Sequence, residues 1–155
     1  MADAREHIRV DGDDADIAAC IATATAHIEN YTRRAISLRR FELTCDYFVS
    51  HLVLPRPPFV ALVSVSYRDP DDVVQPLPTE TFFLDDRSEP ARLLCADGRQ
   101  WPELSDNPNA VTITYDAGYT RVPDAIKHAG RMLVGHFYEN REATAMGAVP
   151  RELDF

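Results

Sequence analysis

The fold of this chain is decided by the stretch Val111-Thr-Ile-Thr-Tyr-Asp-Ala-Gly-Tyr-Thr-Arg-Val-Pro-Asp-Ala-Ile-Lys-His-Ala129, in which the hydrophobic pattern changes its period. Up to Tyr115, apolar side chains alternate with threonines, which is typical of a half-buried strand. After the turn at Gly118, Pro123 suits the first turn of a helix because its φ is already helical. We therefore predict a strand, a tight turn, and then a helix over about 123–142.

The helix over about 123–142 has a wide apolar surface. Its apolar side chains spread over roughly 240° of a helical wheel, whereas a helix that covers one core needs somewhat more than 100°. These side chains belong to Met132, Ala129, Leu133, Ile126, Phe137, Val134 and Tyr138. Two interpretations remain open, namely contact with a neighbouring subunit and full burial within one chain. For the first, the predicted contact residues are Met132, Val134, Tyr138 and Arg141.

A second amphipathic helix is predicted over about 13–35. Its apolar side chains recur at alternating steps of four and three; they are Ile17, Ile21, Ala24, Ile28 and Tyr31. The acidic run Asp11–Asp16 favours the N-terminal end of a helix, and Arg33 and Arg34 favour the C-terminal end. Charge and periodicity therefore agree on the direction and length of this helix.

Between the two helices the period changes to two, beginning at Phe41. Strand candidates are 41–49, 51–54, 61–67, 81–84, 91–95 and 111–115. The prolines of the Pro55–Pro58 segment cannot sit in a central ladder and mark a bend. The spacings are too short for crossover helices. We predict an α+β fold in which two helices flank a small, mostly antiparallel β-unit over about 41–115, within one domain over 1–155 that ends in a short tail over about 143–155.

Composition and charge limit the class of protein. The chain has 155 residues, of which 45% are hydrophobic and 26% charged, which is typical of a globular domain. The start lacks an apolar signal core and no run of 18 apolar residues occurs, so we expect a soluble intracellular protein that does not enter a membrane. A net charge of -9 argues against a protein that grips nucleic acid. An acidic surface past which DNA slides remains open.

The sequence offers little for catalysis or metal binding. Counted as a calcium loop from Asp11, the chain has Ala15 at the third ligand position, Asp16 where the glycine should stand and Ala22 where the glutamate should stand, so the acidic run does not match. His128 and His136 would lie about 12 Å apart on a helix, too far to share a zinc ion. The three cysteines Cys20, Cys45 and Cys95 form no metal-ligand pattern, and we predict them to be small buried hydrophobes. The common local catalytic signatures are missing, so we predict no catalytic residues, no cofactor and no metal.

One basic cluster stands out in this acidic chain. It consists of Arg33, Arg34, Arg39 and Arg40. One interpretation is helix termination followed by a solvated strand start. The other is a docking patch for an acidic partner, or for the acidic end of the next copy of this chain.

The stretch Val111–Ala129, followed by Leu133-Val-Gly-His-Phe-Tyr-Glu-Asn-Arg-Glu142, resembles the head-tail connector (adaptor) family of tailed bacteriophages and related gene transfer particles. The family pattern is a strand that ends in tyrosine, a Gly-Tyr turn, a helix that begins with proline, and a helix end that reads tyrosine, any residue, Asn-Arg-Glu. Further similarity lies in Ile28–Thr32, Leu54–Pro58, Val63–Tyr67 and Trp101-Pro102. The ordered set extends over most of the chain.

The resemblance implies a structural protein of the virion, made in the cytoplasm of the bacterial host and placed at the head-tail interface. Family members form rings, generally of twelve copies, that lie beneath the portal and extend the DNA channel toward the tail. The implied partners are further copies of the chain, the portal protein and a tail-side connector or stopper protein, while DNA passes without sequence-specific binding. The family's C-terminal segment contacts the portal, which adds Arg151 and Leu153 to the expected partner contacts. Relatives tend to continue beyond the position of Phe155.

Two other functions remain as alternatives. One is a tail-completion factor or another virion-assembly protein. The other is a small intracellular enzyme or ligand-binding α+β domain, which would have a concave polar pocket that contains a perturbed titratable group.

Overall fold

The computed structural model describes residues 14–140. In chain order the elements are α1 (Asp14–Thr32), β1 (Arg39–Cys45), β2 (His51–Val53), β3 (Phe59–Arg68), β4 (Val74–Pro76), a 3₁₀ turn (Thr79–Thr81), β5 (Phe82–Asp85), β6 (Arg92–Cys95), β7 (Val111–Ala117) and α2 (Asp124–Glu139). The chain divides into two compact units. The β unit is Thr32–Arg121, and the helical unit comprises 14–31 and 122–140 of the described chain.

The β unit contains two antiparallel sheets. One has four strands in the order β1-β7-β3-β4, and the other has three in the order β2-β6-β5. The predicted α+β fold with antiparallel pairing is confirmed. The single domain over 1–155 with a tail over 143–155 stays a prediction, and the tail lies outside the described residues.

Strand β7 is central to the four-stranded sheet, and its side chains alternate as the sequence predicts. Val111, Ile113, Tyr115 and Ala117 are buried, whereas the residues between them are partly exposed. The three-stranded sheet adds Leu52 and Leu93 to the same apolar cluster. Both sheets therefore share one core, and the apolar alternation of β7 exists because only one face of that strand meets it.

The strands differ from the sequence pattern in two places. Strand β1 ends at Cys45 rather than near Val49, since the next residue, Asp46, turns away and accepts a hydrogen bond of 2.8 Å from the backbone N–H of Asn109. Strand β4 was not predicted at all. It is three residues long and ends in Pro76, and it lies at the edge of its sheet, where a residue without an N–H is tolerated.

The helical unit is held together by contacts between α1 and α2. The rings of His27 and Phe137 meet edge to face at 6.4 Å, and Ile28 packs close to Gly130. Ile17 and Ala24 are buried as predicted, but Tyr31 is 85% exposed, so its assignment to the apolar face was wrong. Tyr31 stands in the last turn of α1, which ends at Thr32 rather than near residue 35.

Two further expectations can be compared with the described residues. Cys20, Cys45 and Cys95 are free thiols that are partly rather than fully buried, so the prediction of buried cysteines was too strong.

Within residues 14–140, neither helix combines the length and the apolar character needed to cross a membrane.

Candidate functional site: an arginine-lined cleft

The Pro55–Pro58 bend that the sequence indicates is fixed by three hydrogen bonds. Tyr115 Oη donates to the first carbonyl of the bend at 2.7 Å, and the backbone N–H of Ala35 donates to the third at 3.0 Å. The backbone N–H of Gly118 donates to the fourth at 2.8 Å. Because the donors come from distant parts of the β unit, the bend is set by tertiary structure.

The Gly118-Tyr119 turn brings the chain close to the segment before β1. Gly118 has a φ of 123°, and a Cβ at this position would overlap the backbone carbonyl of Ser37. Only glycine fits both requirements, which confirms that Gly118 determines the fold here. The turn also places the Tyr119 hydroxyl beside Arg34.

Arg34 is held by a two-pronged ion pair. Its Nη1 and Nη2 donate to the two carboxylate oxygens of Glu89 at 2.9 and 2.6 Å, and Nη1 also donates to Tyr119 Oη at 3.1 Å. The hydrogen bond to Glu89 raises the pKa of Arg34, and the same contact lowers the pKa of Glu89. Both pKa values move away from neutrality, so this pair is unsuited to proton transfer near pH 7 and acts as a fixed structural contact.

The bend, the end of α1 and the Glu89-Pro90 segment enclose a cleft of about 470 Å³. The cleft is lined by Thr32, Arg33, Arg34, Val53, Pro55, Arg56, Pro57, Glu89 and Pro90. Three guanidinium groups against one carboxylate give the lining a net charge of +2, in a chain whose total is -9. Prolines and a valine supply its apolar wall. We call this site the arginine cleft.

Two of the cleft arginines have a backbone conformation that is costly for a residue with a side chain. Arg33 has a φ of 57° and Arg56 a φ of 64°, both in the left-handed region. The left-handed conformation costs about 1–2 kcal/mol for a residue that bears a Cβ, and glycine or asparagine is the usual choice. The presence of arginine at both positions is consistent with a use for the two side chains.

The structure divides the basic cluster of the sequence into two parts. Arg33 and Arg34 line the arginine cleft, whereas Arg40 lies on β1 and forms a paired contact of 2.8 and 3.0 Å with Asp116 on β7. Arg39 lies over the ring of Phe41 at 5.0 Å. The docking interpretation of the cluster stays a prediction, and of its four arginines the first pair alone lines the arginine cleft.

Two cleft residues escaped the sequence analysis. Arg56 lies in the middle of a bend whose prolines were recognised, so its position could have suggested a role. Glu89 is 55 residues from Arg34 in sequence, and no local pattern connects the two. Only the tertiary structure brings them together.

The predicted contact residues of α2 differ in exposure. Met132 is 60% exposed, whereas Val134 and Tyr138 are 5% and 7% exposed. Full burial of the apolar arc was therefore wrong for Met132. Val134 and Tyr138 leave little surface for a partner, and their role in subunit contact stays a prediction. The remaining predicted residues, Arg141, Arg151 and Leu153, lie outside the described part of the chain.

A second cavity, of about 370 Å³, lies at one end of the four-stranded sheet. Its lining includes Thr44, Ser66, Arg68 and Thr112 but no carboxylate, histidine or cysteine. Across residues 14–140, no three such side chains are grouped so that they could hold a metal ion. Tyr67 also lines this cavity, so the lining offers a phenol but none of the carboxylates and imidazoles that most often act as general acids or bases.

No protein-family model and no curated protein matches this chain. Solved structures do match in fold. A chain in the neck of an empty GTA particle, computed with C6 symmetry, is 24% identical with a TM-score of 0.77, over 96% of this chain and 82% of that one. A chain in the neck of the native GTA particle, computed with C12 symmetry, is 19% identical with a TM-score of 0.75, over 99% of this chain and 79% of that one.

A third similar chain comes from the virion of the native gene transfer agent (GTA) particle. It is 20% identical with a TM-score of 0.72, over 99% of this chain and 81% of that one. At identities of 19–24%, the similarity to these three chains shows that this chain has the same fold. The fold of this chain is thus also found in chains of gene transfer agent particles.

Proposed function

We propose that this chain is a structural protein of the neck of a phage or gene transfer particle, where it forms a ring between portal and tail and extends the DNA channel. The observation that carries the proposal is the fold likeness to GTA neck chains over 96% and 99% of the chain. The connector motif around the Gly118-Tyr119 turn supports it separately, because that motif was recognised from residues alone. The C12 symmetry of one of these necks supports a ring of twelve copies.

The outer side of α2 is suited to contact between subunits. Ala125, Ala129 and Met132 are all exposed, and their spacing of four and three residues places them on one face of the helix. Two alanines allow another backbone to approach closely, and the methionine adds an adaptable apolar contact. We propose that this face, with Met132 at its C-terminal end, packs against the next subunit of the ring.

The charge of the chain suits a conduit for DNA. A protein that binds phosphate concentrates Lys and Arg, whereas this chain has 16 basic and 25 acidic residues. An acidic channel wall would repel the DNA backbone and let it pass without sequence-specific binding. The further partners that we propose are the portal protein, contacted through Arg151 and Leu153, and a tail-side connector or stopper protein. Assembly would take place in the host cytoplasm.

Ring formation with the portal can be tested directly. Purified chain, alone and mixed with portal rings of the same particle, would be examined by sedimentation velocity and electron microscopy. We expect the chain to add a ring of density to the portal, even if it is a monomer alone. Met132→Asp should reduce this addition, while Val73→Asp, which charges an equally accessible apolar residue at 52% exposure in a turn, should not. A chain that never joins portal rings would overturn the proposal.

A further inference from the structure

We infer that strand β1 of one copy binds the segment Glu6-His-Ile-Arg-Val-Asp11 of a neighbouring copy, which adds to the sheet as an antiparallel strand. This inference rests on the proposed function, because it names a contact that would link successive subunits of the ring. The segment lies outside the described residues, and its sequence alone is used. We call it segment 6–11.

Strand β1 offers an open sheet edge to such a partner. It pairs with β7 along its whole length, and it is the first strand in the order β1-β7-β3-β4. Within residues 14–140, no strand lies on its other side. An edge strand presents backbone N–H and C=O groups with which another strand can pair. With seven residues, β1 is long enough to pair with the whole of segment 6–11.

The side chains of β1 alternate in a way that segment 6–11 can match. Phe41, Leu43 and Cys45 pack against the core but stay partly exposed, and the residues between them face the other side. Segment 6–11 contains two β-branched apolar residues, Ile8 and Val10, separated by one polar residue. In an antiparallel pair with Val10 opposite Phe41 and Ile8 opposite Leu43, these side chains would cover the exposed rim of the core.

Charge selects this register among the alternatives. It puts Arg9 opposite Glu42, and it also puts Asp11 opposite Arg40, so both pairs join opposite charges. A shift of the segment by two residues would keep its apolar side chains on the core side. One such shift puts Arg9 opposite Arg40, and the other puts Asp11 opposite Glu42. The parallel pairing that keeps Arg9 opposite Glu42 puts Asp11 opposite the neutral Thr44.

Both charged side chains of β1 are available for these contacts. Glu42 is exposed and takes part in none of the ion pairs within residues 14–140. Arg40 has a side chain that is 61% exposed, and it donates Nε and Nη2 to Asp116, so its Nη1 can donate to Asp11. The same charges would repel a strand in a shifted register, which makes the edge selective.

The segment is donated by a neighbouring copy because a ring of identical subunits needs two different patches. In a cyclic ring, each contact joins one patch of a copy to a different patch of the next copy. Segment 6–11 and the open edge of β1 are two such patches. Repeated around the ring, the contact would leave no copy with an unpaired β1 edge.

The first test reverses the charges of one contact in the full chain. Glu42→Arg and Arg9→Glu should each raise the concentration needed to half-saturate portal rings at least about fivefold, because each replaces an attraction by a repulsion. Glu103→Arg makes the same change of charge at an exposed residue outside β1 and should bind portal rings as the natural chain does.

A mixture of the two variants distinguishes exchange between copies from pairing within one chain. If copies of Glu42→Arg and Arg9→Glu alternate in a ring, every contact again joins opposite charges. The mixture should therefore recover portal-bound rings at the concentration that the natural chain needs. This recovery also shows that both variants are folded. A mixture that stays as impaired as its components would overturn the inference.

The register is tested in a chain in which Cys20 and Cys95 are replaced by serine. The inferred register puts residue 6 directly opposite Cys45, and the Cα atoms of such pairs lie about 4.5–5.5 Å apart, within disulfide range. Glu6→Cys, oxidised with copper–phenanthroline in portal-bound rings, should give disulfide-linked multimers on a non-reducing gel. His7→Cys places the thiol on the opposite face of the strand and should give few.

The remaining outcomes separate this inference from the proposed function. Disulfides confined to single chains would overturn the exchange between copies. Normal rings that show neither the charge effect nor the crosslink would overturn the inference and leave the proposed function standing. Absence of rings from the natural chain would count against the proposed function itself.

Discussion

Removal of one hydroxyl should loosen the bend that forms the arginine cleft. Tyr115 is 1% exposed, and its Oη donates to the carbonyl of Pro55 at 2.7 Å. Tyr115→Phe deletes this donor and keeps the ring. A hydrogen bond of this kind contributes about 0.5–1.5 kcal/mol net, and because Pro55 itself is exposed, water can partly replace the donor. We expect the free energy of unfolding to fall by about 1 kcal/mol.

Urea denaturation at pH 7 measures this change. With a denaturant slope of about 2 kcal/mol per molar for a protein of this size, the midpoint should fall by about 0.5 M. The matched control is Tyr47→Phe, which removes the same hydroxyl from a side chain that is 65% exposed. That control should change the free energy of unfolding by less than about 0.5 kcal/mol.

A second readout follows from the pKa of Tyr115, which burial raises from 10.0 to about 12. The folded state therefore favours the neutral phenol. Its contribution to stability is fully present below pH 10 and is lost as pH rises toward 12. The gap in stability between the natural chain and Tyr115→Phe should narrow over this range. Equal midpoints at pH 7 would show that the hydroxyl does not hold the bend, and a gap that stays constant to pH 12 would show that burial does not raise the pKa of Tyr115.

Three further predictions concern the β unit. Gly118→Ala should lower the free energy of unfolding by more than about 3 kcal/mol, because the new Cβ would overlap backbone atoms. Gly98→Ala is the control: this glycine has a φ of 71° and open space around it, so the substitution should cost about 1 kcal/mol. Thermal unfolding measures both, and similar losses would refute the steric argument. A double-mutant cycle of Arg34→Ala and Glu89→Ala should give a coupling of about 0.5–1 kcal/mol at pH 7. That coupling should fade as pH falls below 4.5, because the pKa of Glu89 is lowered from that value; a coupling that persists at pH 3 would contradict it. Hydrogen bonds from Ser88 and Arg92 lower the pKa of Asp85 from 3.8 to about 2, so this carboxylate stabilises the fold above pH 4 and loses that contribution as pH falls toward 2. In Asp85→Asn, the free energy of unfolding should therefore fall less steeply between pH 4 and 2. An unchanged pH dependence would contradict the lowered pKa.

Local patterns predicted the elements whose formation depends on neighbouring residues. The alternation in β7 and Pro123 before α2 were readable because a strand buries every second residue and proline presets the helical φ. The role of Gly118 in the turn could be predicted for a similar reason, since a position that excludes a Cβ must be glycine. Strand β4 could not be predicted from the sequence, because three residues that end in proline form a strand only when they pair with the edge of β3.

The sequence by itself determined the α+β class, the antiparallel pairing and the connector motif, all of which depend on order and spacing along the chain. Tertiary structure alone decided the arginine cleft, since Arg34 meets Glu89 across 55 residues. It also separated the apolar residues of α2, where Met132 is exposed and Tyr138 is buried. Periodicity reports that a helix is apolar, but which part of that surface stays open for a partner depends on what packs against it.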